Sequence, residues 1–215
     1  MHLRFRKTGD LFRTQSSRAS TALLAVAVLG CAPNVTFNQN AAASIHSVAV
    51  TGCQLPLQYL VESVGIAHNP EYVQRLNEEL HQRHLDIGGD LQRALAQALV
   101  SKGYEVKDSP ADADATLACT SLVALYDVGM FGTSFTPSIQ LDVTLTDRMA
   151  ETIFARRFFY TGAESPMGVT VIHSDPQYGF ASDDALVADP ERAAAGLSAA
   201  VPLLANAVTD ILPKR

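Results

Sequence analysis

Apolar and polar residues alternate along SIQLDVTLTD, residues 138–147, and this period of two predicts a strand that buries only one face. The following ETIFARRFFYTG, joined to it through DRMA, predicts the second arm of a β-hairpin. Two further strands are predicted at SIHSVAVTG and at the largely apolar ATLACTSLVALYDV. In SIQLDVTLTD, the residues expected to face the protein core are Ile139, Leu141, Val143 and Leu145.

Apolar residues three or four positions apart predict two main helices. LDIGGDLQRALAQALVSKGYEV has this spacing, and Gly103 after Lys102 is a typical helix end. DPERAAAGLSAAVPLLANAVTDIL begins with Asp189 as an N-cap and Pro190 at the first helical position, while Pro202 is expected to kink or restart the helix. A shorter helix is predicted over residues 71–84.

The order strand, helix, strands, helix predicts an α+β fold. We expect an antiparallel sheet of about four strands with two main helices packed on one face. Residues 45–215 are then a single domain, which is long enough for a substantial hydrophobic core.

The first 30 residues have the three-part pattern of a secretory signal. Five Lys and Arg residues precede an uncharged, mainly apolar run at positions 19–30. As a helix, this run would cover only about 18 Å, well short of the roughly 30 Å hydrocarbon core of a membrane. Residues 1–30 are therefore predicted to be a cleaved export signal and not a membrane span.

The end of this run, Val28-Leu29-Gly30-Cys31, resembles the lipobox of bacterial lipoproteins. The resemblance implies cleavage before Cys31 and a membrane anchor through diacylglycerol and further acyl groups such as palmitate on Cys31. Ala32 at the sorting position implies the periplasmic face of the outer membrane, with the inner membrane as the less favoured site. Residues 31–44 are then the lipidated cysteine and a flexible tether. The alternative is an ordinary cleaved signal in which Cys31 has no role.

Charge and cysteine content narrow the range of functions. Without residues 1–30, the chain has 11 basic and 21 acidic residues, a net charge of −10. Phosphate backbones would repel such a chain, which argues against nucleic-acid binding. In an oxidising compartment Cys53 and Cys119 are expected to form a disulfide if their strands are neighbours, and two buried free thiols are the alternative.

Candidate chemistry is sparse. His81 and His84 in ELHQRHLD could face one metal ion from a helix, although a solvated polar face is the simpler explanation, so no metal site is predicted. His173, Ser174 and Asp175 are adjacent in sequence, which argues against a catalytic triad, and the Asp175-Pro176 pair predicts a turn instead. No cofactor motif is evident, so we expect a protein that is not an enzyme and has no cofactor.

The loop DVGMFGTSFTPS is the better candidate for contact with a partner, through Met130, Phe131 and Phe135. The alternative is that these rings cap the sheet core.

The order of elements resembles small α+β envelope lipoproteins, including auxiliary lipoproteins of ABC-type lipid transporters. Two hypotheses result: a non-enzymatic binding or scaffolding module with an envelope protein partner, possibly auxiliary to a transport or envelope-assembly complex, or a lipid-anchored hydrolase or metal-dependent enzyme using His81 and His84 or His173.

Overall fold

The structure, a computed structural model, describes residues 37–53, 60–62, 70–128, 134–162 and 169–215. These residues belong to one compact unit. The strands are β1 (Ser47–Thr51), β2 (Leu60–Glu62), β3 (Glu105–Lys107), β4 (Ala115–Asp127), β5 (Thr136–Asp147), β6 (Thr152–Thr161) and β7 (Thr170–His173). The helices are α1 (Gln39–Ala42), α2 (Pro70–Gln82), α3 (Ile87–Ser101), α4 (Asp183–Ala188) and α5 (Pro190–Thr209).

The described strands form a single sheet in the order β3-β1-β4-β5-β6-β7, and β2 pairs with the second half of β4. The central strands β4, β5 and β6 are antiparallel neighbours, as the predicted hairpin requires. In contrast, β1 is parallel to both β3 and β4, and β7 is parallel to β6. The α+β class is therefore confirmed, whereas the expected antiparallel sheet of about four strands is corrected to a mixed sheet with seven described strands.

The parallel pairing of β1 with β3 arises because helices carry the chain back between the two strands. α2 and α3 lie between β1 and β3 in the chain, and parallel neighbours require such a crossover. The strands absent from the sequence prediction, β2, β3 and β7, hold only three or four residues each. A period of two cannot be recognised over so few positions.

The core face of the sheet follows the alternation predicted for β5. Ile139, Leu141, Val143 and Leu145 are at most 1% exposed. On β4 the buried positions change from odd to even numbers at an irregularity between Cys119 and Ser121. The β4 sequence nevertheless reads as a nearly continuous apolar run, because Val123 and Leu125 on the opposite face are apolar as well.

The two long helices pack against each other and on the core face of the sheet. α3 contacts β1 and β3, while α5 contacts β5 and β6. Asp86 and Asp189 cap their N-termini by accepting hydrogen bonds from backbone N–H groups three residues on. α5 continues through Pro202, which therefore does not restart the helix as expected.

A disulfide joins Cys53, just after β1, to Cys119 in β4. The two Cα atoms are 4.9 Å apart, and both residues are at least 94% buried. Gly52 has φ +77°, and a Cβ there would come within 2.7 Å of the Cys119 carbonyl oxygen. The glycine thus allows β1 to approach β4 closely. The predicted pairing is confirmed.

The segment before β1 belongs to the fold from Phe37 onward. The Phe37 ring lies 6.2 Å from the Phe154 ring, and the Asn38 amide donates to the Ile153 carbonyl oxygen at 3.1 Å. α1 follows and buries Ala42 in the core. The flexible tether expected over residues 31–44 therefore extends too far, because residues 37–44 belong to the fold and Ala42 is buried in its core. Residues 31–36 lie outside the described part of the chain.

Candidate interaction face

The side of the sheet opposite the helices carries apolar residues that do not join the core. Val123, Leu125, Phe159 and Val171 are half-buried, and none of them is part of the core cluster or packs against it. Directly paired residues of neighbouring strands point to the same face. Gln140 of β5 pairs with Val123 on one side and Phe159 on the other, so these residues form one row across the sheet.

The name open face is used below for one set of residues from β4 to β7. Its members share a side of the sheet that no described helix covers: Val123, Leu125, Gln140, Asp142, Arg157, Phe159 and Val171. Phe159 is beside Val171 in the parallel β6–β7 pair, which extends the row to four strands. Contiguous apolar surface of this kind marks contact sites in soluble proteins.

An ion pair lies in the next row of the open face. Asp142 and Arg157 are directly paired across β5 and β6. The guanidinium of Arg157 donates to both carboxylate oxygens, from Nε at 2.6 Å and from Nη2 at 2.7 Å. The carboxylate of Asp142 raises the pKa of Arg157 through these hydrogen bonds. A planar, two-point pair with side chains only 21% and 11% exposed is held in one geometry, so it adds a fixed polar feature to an apolar surface.

The loop expected to contact a partner is described only in part. Met130 and Phe131 lie outside the described residues. Phe135 is half-buried, packs against the core and exchanges two backbone hydrogen bonds with Phe180, at 2.7 Å and 2.8 Å. The Phe180 side chain is 1% exposed. For Phe135, the structure therefore agrees with the alternative that its ring caps the core.

An aromatic cluster at the same end of the sheet anchors the start of α5. The Tyr126 hydroxyl donates to the Ala193 carbonyl oxygen at 2.8 Å, and its ring meets Phe180 edge to face at 5.5 Å. The Arg192 guanidinium lies 4.0 Å from the centre of the Phe180 ring. Burial raises the pKa of Tyr126, so its hydroxyl stays protonated and keeps donating to the helix.

His81 and His84 do not share a helical face. α2 ends at Gln82, and His84 lies beyond it with φ +55°. The His84 amide donates to the His81 carbonyl oxygen at 3.0 Å, which closes the helix end, and both side chains are exposed. The i, i+3 spacing that suggested a metal site is therefore interrupted by the end of the helix. Among the described residues, no three His, Cys, Asp or Glu side chains converge as metal ligands.

His173, Ser174 and Asp175 form the end of β7 and a turn. His173 is exposed, whereas Ser174 is 7% exposed and its Oγ has no hydrogen-bond partner among the described residues. The Asp175 carboxylate accepts a hydrogen bond from the Gln177 amide at 3.0 Å and so opens the turn at Pro176. These contacts match the turn predicted from the Asp-Pro pair.

The residues of the export signal and the lipobox, including Cys31, lie outside the described part of the chain. Within the described ranges, no helix is both long enough and apolar enough to cross a membrane. No protein-family model matches the chain, and a search of curated protein sequences gives no significant match.

Proposed function

We propose that the chain is a bacterial envelope lipoprotein, anchored by lipid on Cys31, whose folded unit binds another envelope protein without catalysing a reaction. The proposed location is the periplasmic face of the outer membrane. The open face is the observation that carries the binding role. It presents half-buried apolar residues of β4, β6 and β7, with Gln140 of β5 between them, beside a fixed ion pair.

The anchor and the compartment are supported by the sequence and by one structural feature. The basic lead, the short apolar run and Val28-Leu29-Gly30-Cys31 have the order of a lipoprotein signal. The Cys53–Cys119 disulfide is of the kind that persists in an oxidising compartment such as the periplasm. With Cys31 used for lipid, an even number of cysteines remains, as is typical of exported proteins with disulfides.

The chemistry of the open face fits a protein partner. The row formed by Val123, Gln140, Phe159 and Val171 can bury apolar surface against a partner, which stabilises a complex by about 25 cal/mol per Å² removed from water. The Asp142–Arg157 pair is already satisfied within the chain. A partner can therefore cover it without leaving an unpaired charge, while its remaining lone pairs and N–H groups fix orientation.

The test is site-specific photocrosslinking in the full chain, expressed in a two-membrane bacterium. A photoreactive p-benzoylphenylalanine replaces Gln140 on the open face in one variant. In the matched control it replaces Gln97, an exposed glutamine of α3 on the opposite side of the sheet.

We expect a discrete adduct with an envelope protein from position 140 and none from position 97, with the partner identified by mass spectrometry. Equal adduct patterns from both positions, or none from position 140, would contradict the assignment of the open face as a binding surface.

A further inference from the structure

The last four residues cross a corner of the molecule where two helices end. The Arg215 amide donates to the Lys102 carbonyl oxygen at 2.7 Å, just after α3. Lys102 in turn forms an ion pair with Asp210 at 3.0 Å. The Tyr104 hydroxyl donates to the Pro213 carbonyl oxygen at 3.0 Å. These contacts hold residues 212–215, called the strap below, against the α3–β3 connection.

Gly103, just after α3, leaves room for Arg215 to pack closely against the chain. Gly103 has φ +91°, and a Cβ on it would lie 2.8 Å from the carbonyl oxygen and 2.9 Å from the Cβ of Arg215. The Arg215 guanidinium lies 5.4 Å from the centre of the Tyr104 ring, within the range of a cation–π contact. The glycine that ends α3 thus also makes room for the strap.

The far end of Arg215 reaches α1. Its guanidinium donates to the carbonyl oxygen of Ala43 at 3.0 Å and also to that of Ala42. The last carbonyl groups of a helix have no partner within it, and a basic side chain is a favourable one. α1 has only four residues, far fewer than a helix needs to be stable alone. Its position therefore depends on contacts such as these.

We propose that the strap is a latch that fixes α1 on the fold. Phe37 and Asn38 hold the start of this segment through Phe154 and Ile153, whereas Arg215 holds its end through the carbonyl groups of Ala42 and Ala43. With the latch open, the last carbonyl groups of α1 lose these donors, and a four-residue helix depends on such contacts. Residues 39–44 then open more often than the rest of the fold.

The test is amide hydrogen exchange on the full chain with the substitution Arg215→Ala, and with Lys214→Ala as the matched control. Lys214 is the exposed neighbouring basic residue of the strap. We expect exchange across residues 39–44 to become about tenfold faster in Arg215→Ala, with unchanged protection of β4 and β5. Lys214→Ala should exchange like the parent chain. Unchanged exchange of residues 39–44 in Arg215→Ala would overturn the proposal.

A second variant, Tyr104→Phe, keeps the buried ring and removes only the hydrogen bond to Pro213. It should accelerate exchange of the strap and of residues 39–44 by a smaller factor, and no acceleration would count against the latch. This readout does not depend on lipid. If Cys31 proves unmodified while exchange responds as expected, the proposed function fails and the latch stands.

Discussion

Single side chains join parts of this fold that are distant in sequence, and Asp114 is the clearest case. Its Oδ2 accepts hydrogen bonds from the His46 amide at 3.0 Å, the Ser47 amide at 2.9 Å and the Ser47 hydroxyl at 3.0 Å. Arg148 lies within ion-pair distance at 3.3 Å. The carboxylate thereby fixes the start of β1 beside the start of β4.

These contacts give Asp114 a measurable pH signature. The backbone hydrogen bond from His46, with those from Ser47, lowers the pKa of Asp114 below its ordinary value. A carboxyl whose pKa is lower in the folded state contributes stability above its unfolded pKa, and loses it as the pH falls through the folded pKa. Asp114→Asn should therefore reduce the free energy of unfolding at pH 7 by about 1–2 kcal/mol, and the deficit should shrink as the pH falls below the ordinary aspartate pKa of about 3.9.

Urea unfolding of both proteins across this pH range measures the effect. Asp112→Asn, a change at an exposed position two residues away, is the control and should follow the parent chain. A deficit for Asp114→Asn that stays constant down to pH 2 would show that the ionised carboxylate is not the stabilising group.

At the scale of elements, long periodic segments were predictable and short ones were not. α3, α5 and β5 each show their period over twelve or more residues, and all three are present, as is β6, which was predicted as the second arm of the hairpin. α1 and α4 have four and six residues and are held by tertiary contacts, which leave no local pattern. The parallel pairing of β1 also has no local signal, because strand direction depends on how the connecting helices return the chain.

The open face was predictable only on β5. The polar positions of SIQLDVTLTD already indicate a face turned away from the core. The bulge after Cys119 hides which apolar residues of β4 share that face, since it reverses the alternation between Leu117 and Val123. The Asp142–Arg157 pair required the register of β5 against β6, which the sequence of a hairpin with a four-residue connection does not determine.

α5 offers a test at this scale, because Pro202 lies in its interior and is exposed. A proline there cannot donate the hydrogen bond to the carbonyl group four residues earlier and crowds the preceding turn. Pro202→Ala should therefore raise the free energy of unfolding by about 2 kcal/mol, after allowance for the greater freedom of the unfolded chain. Urea denaturation measures this change. Equal or lower stability of Pro202→Ala would contradict this argument, because it would mean that Pro202 does not destabilise α5.

For the whole molecule, the fold separates two sides of one sheet. Helices cover one side and build the core, with the Cys53–Cys119 disulfide buried in it. The other side bears the open face, and the segment before β1 is fixed at the sheet edge by Phe37 and Asn38. In the proposed lipoprotein, this edge is where the anchored end of the chain enters the fold.

The intact mass of the protein extracted from membranes of a two-membrane bacterium tests the proposed lipoprotein most directly. Our account predicts a chain of residues 31–215 carrying diacylglycerol and a further acyl group on Cys31, and a Cys31→Ala variant that carries neither and is not cleaved before position 31. A mature chain with unmodified Cys31, or one that begins at another residue, would contradict it.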